Sequence, residues 1–321
     1  MMKFLKKFKI INFFFENFIA FSESIFKPIS KLFELFSNIK LIRRIIFNLM
    51  PRNKNFLITT QYGEYILNTN SRIIAKKTYY NKKPYSTNSV ENILDILKKE
   101  DIKIDYFVDI GANVGTSSIS ASFIDKELKF ICIEGNRDNF ELLSANVKIN
   151  KLEDKFLLKN KLVGENSQSR IFVDFIEERG CSRVFEDQNE LSRYTKEFGF
   201  SINETAEIQT EKLKEIISDV LDKNLFLWID LEGLDLEILN SEISNKLFPV
   251  FFEFNPTFYK LKFKEYKNYI DKVEDRLIGC GYKFYFAEVN YLKKEKVKPG
   301  FMLNLINTIG ENKASTNILL I

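Results

Sequence analysis

Between residues 105 and 255, apolar runs alternate with stretches that carry apolar residues at helical spacing. Runs with few polar positions are typical of strands buried on both faces of a parallel sheet. They are "DYFVDI" (105–110), "KFICIE" (129–134), "KFLLKNKLVG" (155–164), "NLFLWIDLEG" (224–233) and "FPVFFEFN" (248–255). The intervening stretches "GTSSISASFID", "NRDNFELLSANVKIN" and "LDLEILNSEIS" predict helices. This rhythm predicts an α/β fold built on a doubly wound, mostly parallel sheet.

The flanking segments extend this pattern at both ends. Residues 56–80 predict short strands around a turn at Gly63, and residues 87–100 predict an amphipathic helix. Near the end, "GYKFYFAEV" and "STNILLI" predict further strands that close the sheet with an antiparallel edge. Residues 165–210 are polar and charged and interrupt the rhythm before the fourth strand. A long insertion there is expected over the carboxyl edge of the sheet, where ligands bind, so we interpret it as an acceptor-side insertion.

The first 54 residues differ from the rest in charge. They carry eleven basic and three acidic residues, a local charge of +8, whereas the whole chain of 321 residues sums to +4. Two or three helical stretches are expected here, and one face of the first would carry Phe4, Phe8, Ile11, Phe15 and Phe18. The segment is too interrupted to span a membrane. Three interpretations remain open: a helix packed on its own domain, an in-plane helix on an anionic membrane, or a cleaved signal.

Residue usage limits the chemistry that the chain can perform. There are three widely spaced cysteines, Cys132, Cys181 and Cys280, which predict neither a disulfide framework nor a zinc site. A reducing, cytoplasmic compartment is therefore expected, either free or peripheral at the inner face of the membrane. Histidine is absent from the sequence. Acid–base work must then use carboxylates, Lys, Tyr, Cys or water.

The turn "DIGANVG" after the first strand of this rhythm is the strongest candidate for a ligand site. A dinucleotide fold expects G-x-G-x-x-G/A, but Asn113 and Thr116 stand at the second and third glycine positions. S-adenosylmethionine carries no phosphate and needs an acidic residue on the next strand for its ribose hydroxyls. Glu134 ends "KFICIE" at that place. The turn therefore favours S-adenosylmethionine over a nicotinamide dinucleotide.

Four ordered blocks, "VDIGANVGTSSI", "IEGNRDNFELLSANVKIN", "WIDLEGLDLEIL" and "FFEFNP", resemble the FkbM family of S-adenosylmethionine-dependent methyltransferases. The resemblance covers roughly residues 56–290. It implies a class I methyltransferase (Rossmann-like) fold and O-methylation, often of sugars in glycans or of small natural products. Two positions depart from the family pattern: Gly135 replaces the usual proline, and Asp235 replaces the usual glutamate.

Carboxylates follow two of the predicted strands, where the methyl group would lie. Asp230 and Glu232 follow the fourth strand, and Glu253 ends the fifth. Because a sugar hydroxyl is a weak nucleophile, a positioned base would accelerate transfer, and a carboxylate suits that role when burial raises its pKa. A divalent metal held by these three residues is an alternative without diagnostic spacing, and helix capping is another. In the insertion, Arg183 is a candidate contact for the acceptor, with a solvated loop as the alternative.

The sequence thus predicts a helical extension over residues 1–54 and a methyltransferase domain over residues 55–321. The predicted activity is methyl transfer from S-adenosylmethionine to a hydroxyl of a saccharide or a similar small molecule. An NAD(P)-dependent oxidoreductase and a non-catalytic binding protein that retains the fold are the alternatives. We expect no nucleic-acid partner, because the body of the chain is mildly acidic and "FNPTF" departs from the motif of amine-methylating enzymes. The predicted site has no metal; its cofactor residues are Asp109, Gly111, Asn113, Gly115, Glu134 and Asp230, and its catalytic residues are Asp230, Glu232 and Glu253.

Overall fold

The structure is a computed structural model that describes residues 40–71, 73–175, 182–240, 247–310 and 315–321. The phenylalanine-rich stretch of residues 4–18 and Cys181 lie outside these ranges. Cys132 and Cys280, the two cysteines within them, form no disulfide.

Fourteen strands and eleven α-helices are assigned within the described ranges. The strands are β1 (Asn55–Thr60), β2 (Gly63–Asn68), β3 (Tyr106–Ile110), β4 (Lys129–Ile133), β5 (Phe156–Lys159), β6 (Leu162–Gly164), β7 (Ser169–Phe175), β8 (Arg183–Phe185), β9 (Ile202–Lys212), β10 (Leu225–Ile229), β11 (Val250–Phe254), β12 (Phe284–Ala287), β13 (Lys294–Lys296) and β14 (Thr316–Leu320). The helices are α1 (Lys40–Leu49), α2 (Ile74–Asn81), α3 (Thr87–Lys99), α4 (Thr116–Ile124), α5 (Arg137–Ile149), α6 (Gln188–Phe198), α7 (Leu213–Ile216), α8 (Asp235–Asn240), α9 (Pro256–Lys262), α10 (Tyr266–Cys280) and α11 (Phe301–Ile309).

The main sheet has eight strands in the order β13-β12-β14-β11-β10-β3-β4-β5. The neighbours from β5 to β11 pair in parallel. Strand β14 lies antiparallel between β11 and β12, and β13 pairs antiparallel with β12. This confirms the predicted doubly wound, mostly parallel sheet with an antiparallel edge. The chain runs outward from β3 in one direction through β4 and in the other through β10, so the strand order switches between β3 and β10, where α/β sheets bind ligands.

Both faces of this sheet are buried, as the apolar runs predicted. On β3, Phe107 belongs to a cluster on one face, and Val108 and Ile110 belong to a cluster on the other. On β10 the alternation repeats, with Trp228 in the first cluster and Ile229 in the second. Successive side chains of a strand point to opposite faces, so a run without polar residues fills two cores at once.

The stretch 155–164 was predicted as one strand, and this prediction is wrong in part. It forms β5 in the main sheet and β6 in a second sheet of order β6-β9-β7-β8. The side-chain amide of Asn160, between the two strands, donates to the main-chain oxygen of Glu134 at 2.8 Å. This contact holds the chain at the point where it leaves one sheet for the other.

A hairpin of β1 and β2 precedes the main sheet and is fixed to it by Asn146 of α5 and by Asn150, which follows the last residue of that helix. Asn146 accepts from the backbone N–H of Ile66 at 2.6 Å and donates to the carbonyl of Val114 at 2.9 Å. Asn150 accepts from the N–H of Glu64 at 2.8 Å. The asparagines therefore connect the hairpin to the glycine turn as well as to the helix.

The prediction of strands is correct for the hairpin but wrong for residues 74–80, which lie in α2. This helix buries Ala75, Thr78 and Tyr80, and Tyr80 packs against Phe47 of α1 with ring centroids 5.9 Å apart. The side chain of Arg43 in α1 donates to the carbonyl of Tyr80 at 2.8 Å. Contact with a neighbouring helix therefore decides the conformation of a segment whose own propensity is ambiguous.

Candidate active site

The glycine turn at the end of β3 is hydrogen-bonded to the last residue of β4, and the last residue of β3 is hydrogen-bonded to the residue that follows β10. The N–H groups of Gly111 and Ala112 donate to the carbonyl of Ile133 at 2.9 and 3.0 Å, and the N–H of Asp230 donates to the carbonyl of Ile110 at 2.9 Å. Gly111 has φ +88°, and a Cβ there would clash with the main-chain oxygen of Asp230. Only glycine fits, because the conformation is left-handed and the space is already filled by backbone.

Asp109 lies beneath this turn and is buried. It accepts a hydrogen bond from the hydroxyl of Ser118 in α4, and Cys132 donates to the same hydroxyl at 3.2 Å. Burial raises the pKa of the Asp109 carboxyl to about 6, against the lowering effect of Ser118. Asp109 is not among the residues that line the two cavities described below. Its contacts fix the start of α4 under the turn.

Glu134 stands at the end of β4 with both carboxylate oxygens engaged. One oxygen accepts from the N–H of Asn113 at 2.8 Å, and the other accepts from the N–H of Asn136 at 2.7 Å. Burial raises the pKa of Glu134 to about 7, although these backbone N–H groups oppose the shift. Each oxygen of a carboxylate has two acceptor sites, so Glu134 retains capacity for ligand hydroxyls.

Two cavities meet at the carboxyl edge of the sheet. The smaller, of about 60 Å³, is lined by Glu134 and by residues of the insertion, among them Phe172 and Arg183. The larger, of about 330 Å³, lies over β3, β10 and β11. Four residues line both cavities: Gly111, Asn113, Asp230 and Glu232. A ligand that contacts Glu134 in the smaller cavity can therefore extend over the glycine turn into the larger one.

The three predicted catalytic carboxylates all line the larger cavity. The side chain of Asp230 is exposed to the larger cavity, whose floor it forms. The surrounding protein nevertheless shields its carboxyl group from bulk water. This desolvation, followed by repulsion from Glu232 and Glu253, raises the pKa of Asp230 well above its usual range. Desolvation and repulsion from Glu232 also raise the pKa of Glu253.

Glu232 is held by an arginine of the insertion. Both terminal nitrogens of Arg183 donate to it, one to its main-chain oxygen and one to its carboxylate. The guanidinium also lies 3.9 Å from the ring centroid of Phe258 and 4.8 Å from that of Tyr194. Arg183, a candidate acceptor contact from the sequence, therefore anchors Glu232, whose backbone has φ +52°.

A further polar group lines the larger cavity and carries no signal in the sequence. Glu288 follows β12 and accepts from Ser89 at 2.6 Å and from Asn317 at 2.8 Å. All three come from distant parts of the chain, and none belongs to a recognisable motif. They meet because the fold places them side by side, and no local sequence pattern indicates this contact.

Acidic side chains crowd this edge of the sheet, but their arrangement does not form a metal site in the part of the chain that the structure describes. No group of three or more His, Cys, Asp or Glu residues there is placed to hold a metal ion.

Comparison with known proteins identifies the family. The sequence profile of the methyltransferase FkbM domain matches residues 109–284, more than half of the chain. The chain belongs to the FkbM methyltransferase family. This confirms the resemblance and with it a methyltransferase that uses S-adenosylmethionine. A comparison with curated proteins gave no match.

Solved methyltransferase structures show distant similarity. One is an O-methyltransferase from Bacillus cereus in complex with SAH: 9% identity, TM-score 0.40, 79% of this chain and 90% of that chain covered. Another is a precorrin-6y C5,15-methyltransferase from Geobacter metallireducens: 14% identity, TM-score 0.35, coverage of 70% and 84%. A third is a Pyrococcus abyssi tRNA (uracil-54, C5)-methyltransferase in complex with S-adenosyl-L-homocysteine: 10% identity, TM-score 0.37, coverage of 83% and 43%. Similarity at this level assigns no substrate.

The residues around the turn fit S-adenosylmethionine. Gly111 lines both cavities at the strand ends, and Glu134 offers acceptor capacity for ribose hydroxyls. The dinucleotide alternative needs close backbone approach where Asn113 carries a side chain. Asn113 itself has φ +51° and directs its N–H to Glu134. The FkbM turn is therefore tied to the acidic residue of the next strand.

Proposed function

We propose that this FkbM-family methyltransferase methylates a hydroxyl group of a saccharide or a saccharide-like acceptor. The observation that carries the proposal is the lining of the larger cavity. Its polar side chains are hydroxyls, amides and carboxylates, and aromatic rings accompany them: Tyr85, Ser86, Asn88, Ser89, Thr116, Ser117, Trp228, Phe251, Ser315 and Asn317. Many weak donors and acceptors beside aromatic faces suit a neutral, hydroxyl-rich molecule.

The charge of this lining supports the same choice. Among the described residues that line the larger cavity, four are acidic and none is lysine or arginine: Asp230, Glu232, Glu253 and Glu288. Recognition of a nucleic-acid backbone depends on basic side chains that neutralise phosphates. The lining therefore supports a small uncharged acceptor over RNA or DNA.

We assign the cofactor site to the turn and to Glu134. S-adenosylmethionine, when bound, supplies an electrophilic methyl group on a sulfonium. In the proposed roles, Glu134 accepts the ribose hydroxyls, Gly111 and Asn113 line the path between the cavities, and Gly115 and Asp109 fix the turn from below. Asp230 lines both cavities, so it stands where the cofactor and the acceptor would meet. Alignment of the reacting groups is worth about 7–11 kcal/mol in well-positioned systems.

Asp230 is the proposed base that takes the proton from the acceptor hydroxyl. A carboxylate of ordinary pKa is a poor base at neutral pH, and desolvation at the cavity floor removes this disadvantage. Glu232 is less suited because Arg183 already occupies its carboxylate. Glu253, which borders the same cavity, is the second candidate.

The insertion and the N-terminal extension have proposed roles as well. We propose that the insertion closes the smaller cavity, because Phe172, Ser182, Arg183 and Val184 line it beside Glu134. We further propose that the N-terminal extension contacts an anionic membrane surface. In α1, Leu41, Ile45 and Leu49 lie one turn apart and are 64%, 54% and 78% exposed, with Lys40 and Arg44 nearby. No described helix is both long enough and apolar enough to cross a bilayer.

Membership of a methyltransferase family disfavours the nicotinamide oxidoreductase that the sequence left open. A non-catalytic binding protein would not require Asp230 and Glu253 to converge on one cavity. Nothing in the described structure favours either alternative.

Transfer of labelled methyl groups from S-adenosylmethionine into a cell extract tests the proposal. The extract is separated into glycan, lipid, small-molecule, RNA and protein fractions after incubation with the wild-type chain or with Asp230→Asn. Label in saccharide-containing fractions, with a much lower rate for the variant, is expected. Label confined to RNA or protein would overturn the proposed acceptor.

A further inference from the structure

We infer that Asp230 and Glu253 make this site select the positively charged methyl donor over its neutral product, S-adenosylhomocysteine. The inference rests on the cofactor placement proposed above. It concerns binding, so it is separate from the identity of the acceptor.

The residues along the two cavities indicate where the sulfonium of the cofactor would lie. Glu134 lines the smaller cavity, and Asp230 and Glu232 line the boundary between the two. A nucleoside whose ribose contacts Glu134 directs its 5′ substituent toward this boundary. In S-adenosylmethionine the 5′ substituent is the sulfonium. Asp230 and Glu232 are therefore the acidic residues at the place where the positive charge would lie, and Glu253 also lines the larger cavity.

The charged residues around the boundary between the two cavities come from several elements. Strand β10 and the turn after it supply Asp230 and Glu232, β11 supplies Glu253, and Asp109 and Asp235 lie behind the lining. Arg183 of β8 pairs with Glu232. The carboxylate of Glu288 is held by Ser89 and Asn317. Asp230 and Glu253, the latter with a hydrogen bond from Ser315, are the remaining carboxylates of the larger cavity, and they repel each other.

A positively charged ligand can relieve the repulsion between Asp230 and Glu253. A positive charge beside two carboxylates in a desolvated cavity lowers their repulsion and favours their ionised forms. S-adenosylmethionine carries one net positive charge, and S-adenosylhomocysteine carries none. Loss of the methyl group therefore removes the attraction, which weakens the hold on the product. Sinefungin, in which an ammonium-bearing carbon replaces the sulfonium, keeps the charge and serves as a stable probe.

Isothermal titration calorimetry of the full chain with the three ligands tests this inference. At pH 7.5 we expect S-adenosylmethionine and sinefungin to bind roughly tenfold more tightly than S-adenosylhomocysteine, the ratio that one pKa unit of differential interaction gives. Glu253→Gln and Asp230→Asn should reduce that preference to less than about threefold.

A matched control is Asp222→Asn. Asp222 is an exposed carboxylate just before β10, at the end of that strand opposite to Asp230, and its side chain pairs with Lys223. This variant removes one negative charge without altering the cavity, so it should keep the wild-type preference.

Proton release gives a second readout that does not depend on variants. Titrations in two buffers of different ionisation enthalpy should show more protons released by S-adenosylmethionine than by S-adenosylhomocysteine, because only the cation favours the ionised carboxylates. Equal affinities and equal proton release for the charged and neutral ligands would overturn the inference and leave the proposed function standing. Failure of all three ligands to bind would overturn the cofactor site and the proposed function together.

Discussion

Glu134 holds the backbone of the glycine turn and faces the smaller cavity at the same time. Its two oxygens accept from the N–H groups of Asn113 and Asn136, and burial raises its pKa to about 7. The ionised form is the better acceptor for ribose hydroxyls. Affinity for the nucleoside should therefore fall as the pH falls through about 7.

We expect Glu134→Gln to lower the affinity for S-adenosylhomocysteine by about 10- to 100-fold, since hydrogen bonds to a charged group are each worth about 1.5–3 kcal/mol. The variant should also lose the dependence of affinity on pH. Calorimetry between pH 6 and 8 measures both effects, with Glu141→Gln on the exposed face of α5 as the control. An unchanged affinity would refute the ribose contact.

Asp235 is the first residue of α8 and is fully buried. One oxygen accepts from the N–H of Gly233 at 3.2 Å, and the other has no hydrogen-bond partner among the described residues. Burial, followed by repulsion from Glu253, raises its pKa to about 8. The folded protein therefore binds this proton more tightly than the unfolded chain does. Its contribution to stability is complete at low pH and is lost as the pH rises through about 8.

We expect Asp235→Asn to flatten the decline of the free energy of unfolding between about pH 4 and 8, where the unfolded carboxyl is ionised and the folded one is still protonated. One proton of difference corresponds to about 1.4 kcal/mol per pH unit, which is the upper limit of the change in slope. Urea unfolding at several pH values measures the slope, and Asp222→Asn serves as the control. The same slope in wild type and Asp235→Asn would show that Asp235 is ionised throughout this range.

At the scale of elements, a buried charge network fastens the second sheet to the main domain. Glu237 of α8 accepts from Arg170 of β7 at 3.2 Å and also from Lys262 of α9. The side chains of all three residues are almost completely buried. Removing one partner of such a group leaves uncompensated charge in the interior.

We expect Glu237→Ala to lower the free energy of unfolding by about 3–5 kcal/mol. Urea denaturation provides the measurement, and Glu141→Ala at an exposed pair should change it by less than about 1 kcal/mol. A loss below about 1 kcal/mol for Glu237→Ala would mean that the network does not stabilise the docking of the second sheet.

Elements with a strong local signal could be predicted from the sequence, and those fixed by distant contacts could not. The strands β3, β4, β10 and β11 follow from continuous apolar runs, and the turn at Gly111 follows from its glycines. The helix α2 depends on packing against α1, and the branching of 155–164 into two sheets depends on partners far along the chain. At the site, Ser89 and Glu288 meet although 199 positions separate them. No local pattern encodes such a contact.

At the scale of the whole molecule, the proposed membrane contact belongs to the N-terminal extension. The described helix α1 carries an exposed stripe of Leu41, Ile45 and Leu49. We expect the full chain to bind vesicles that contain anionic lipid and to release them at high salt, because clustered basic residues each add about 1 kcal/mol near such a surface. A chain without residues 1–50 should bind much less, because it lacks both α1 and the basic residues before it.

Vesicle sedimentation measures this binding. Replacing Leu41 and Ile45 by serine is the finer test, since it leaves the charge unchanged. Equal sedimentation of the full and shortened chains, or no binding by either, would end the membrane proposal.

The central claim is that the cavity over Asp230 receives a saccharide hydroxyl. Acid hydrolysis of the labelled product, followed by separation of its components and mass spectrometry, identifies the atom that carries the methyl group. The account predicts label in an O-methylated sugar, and little or none in the product of Asp230→Asn. Label recovered in a methylated nucleoside or amino acid would contradict it.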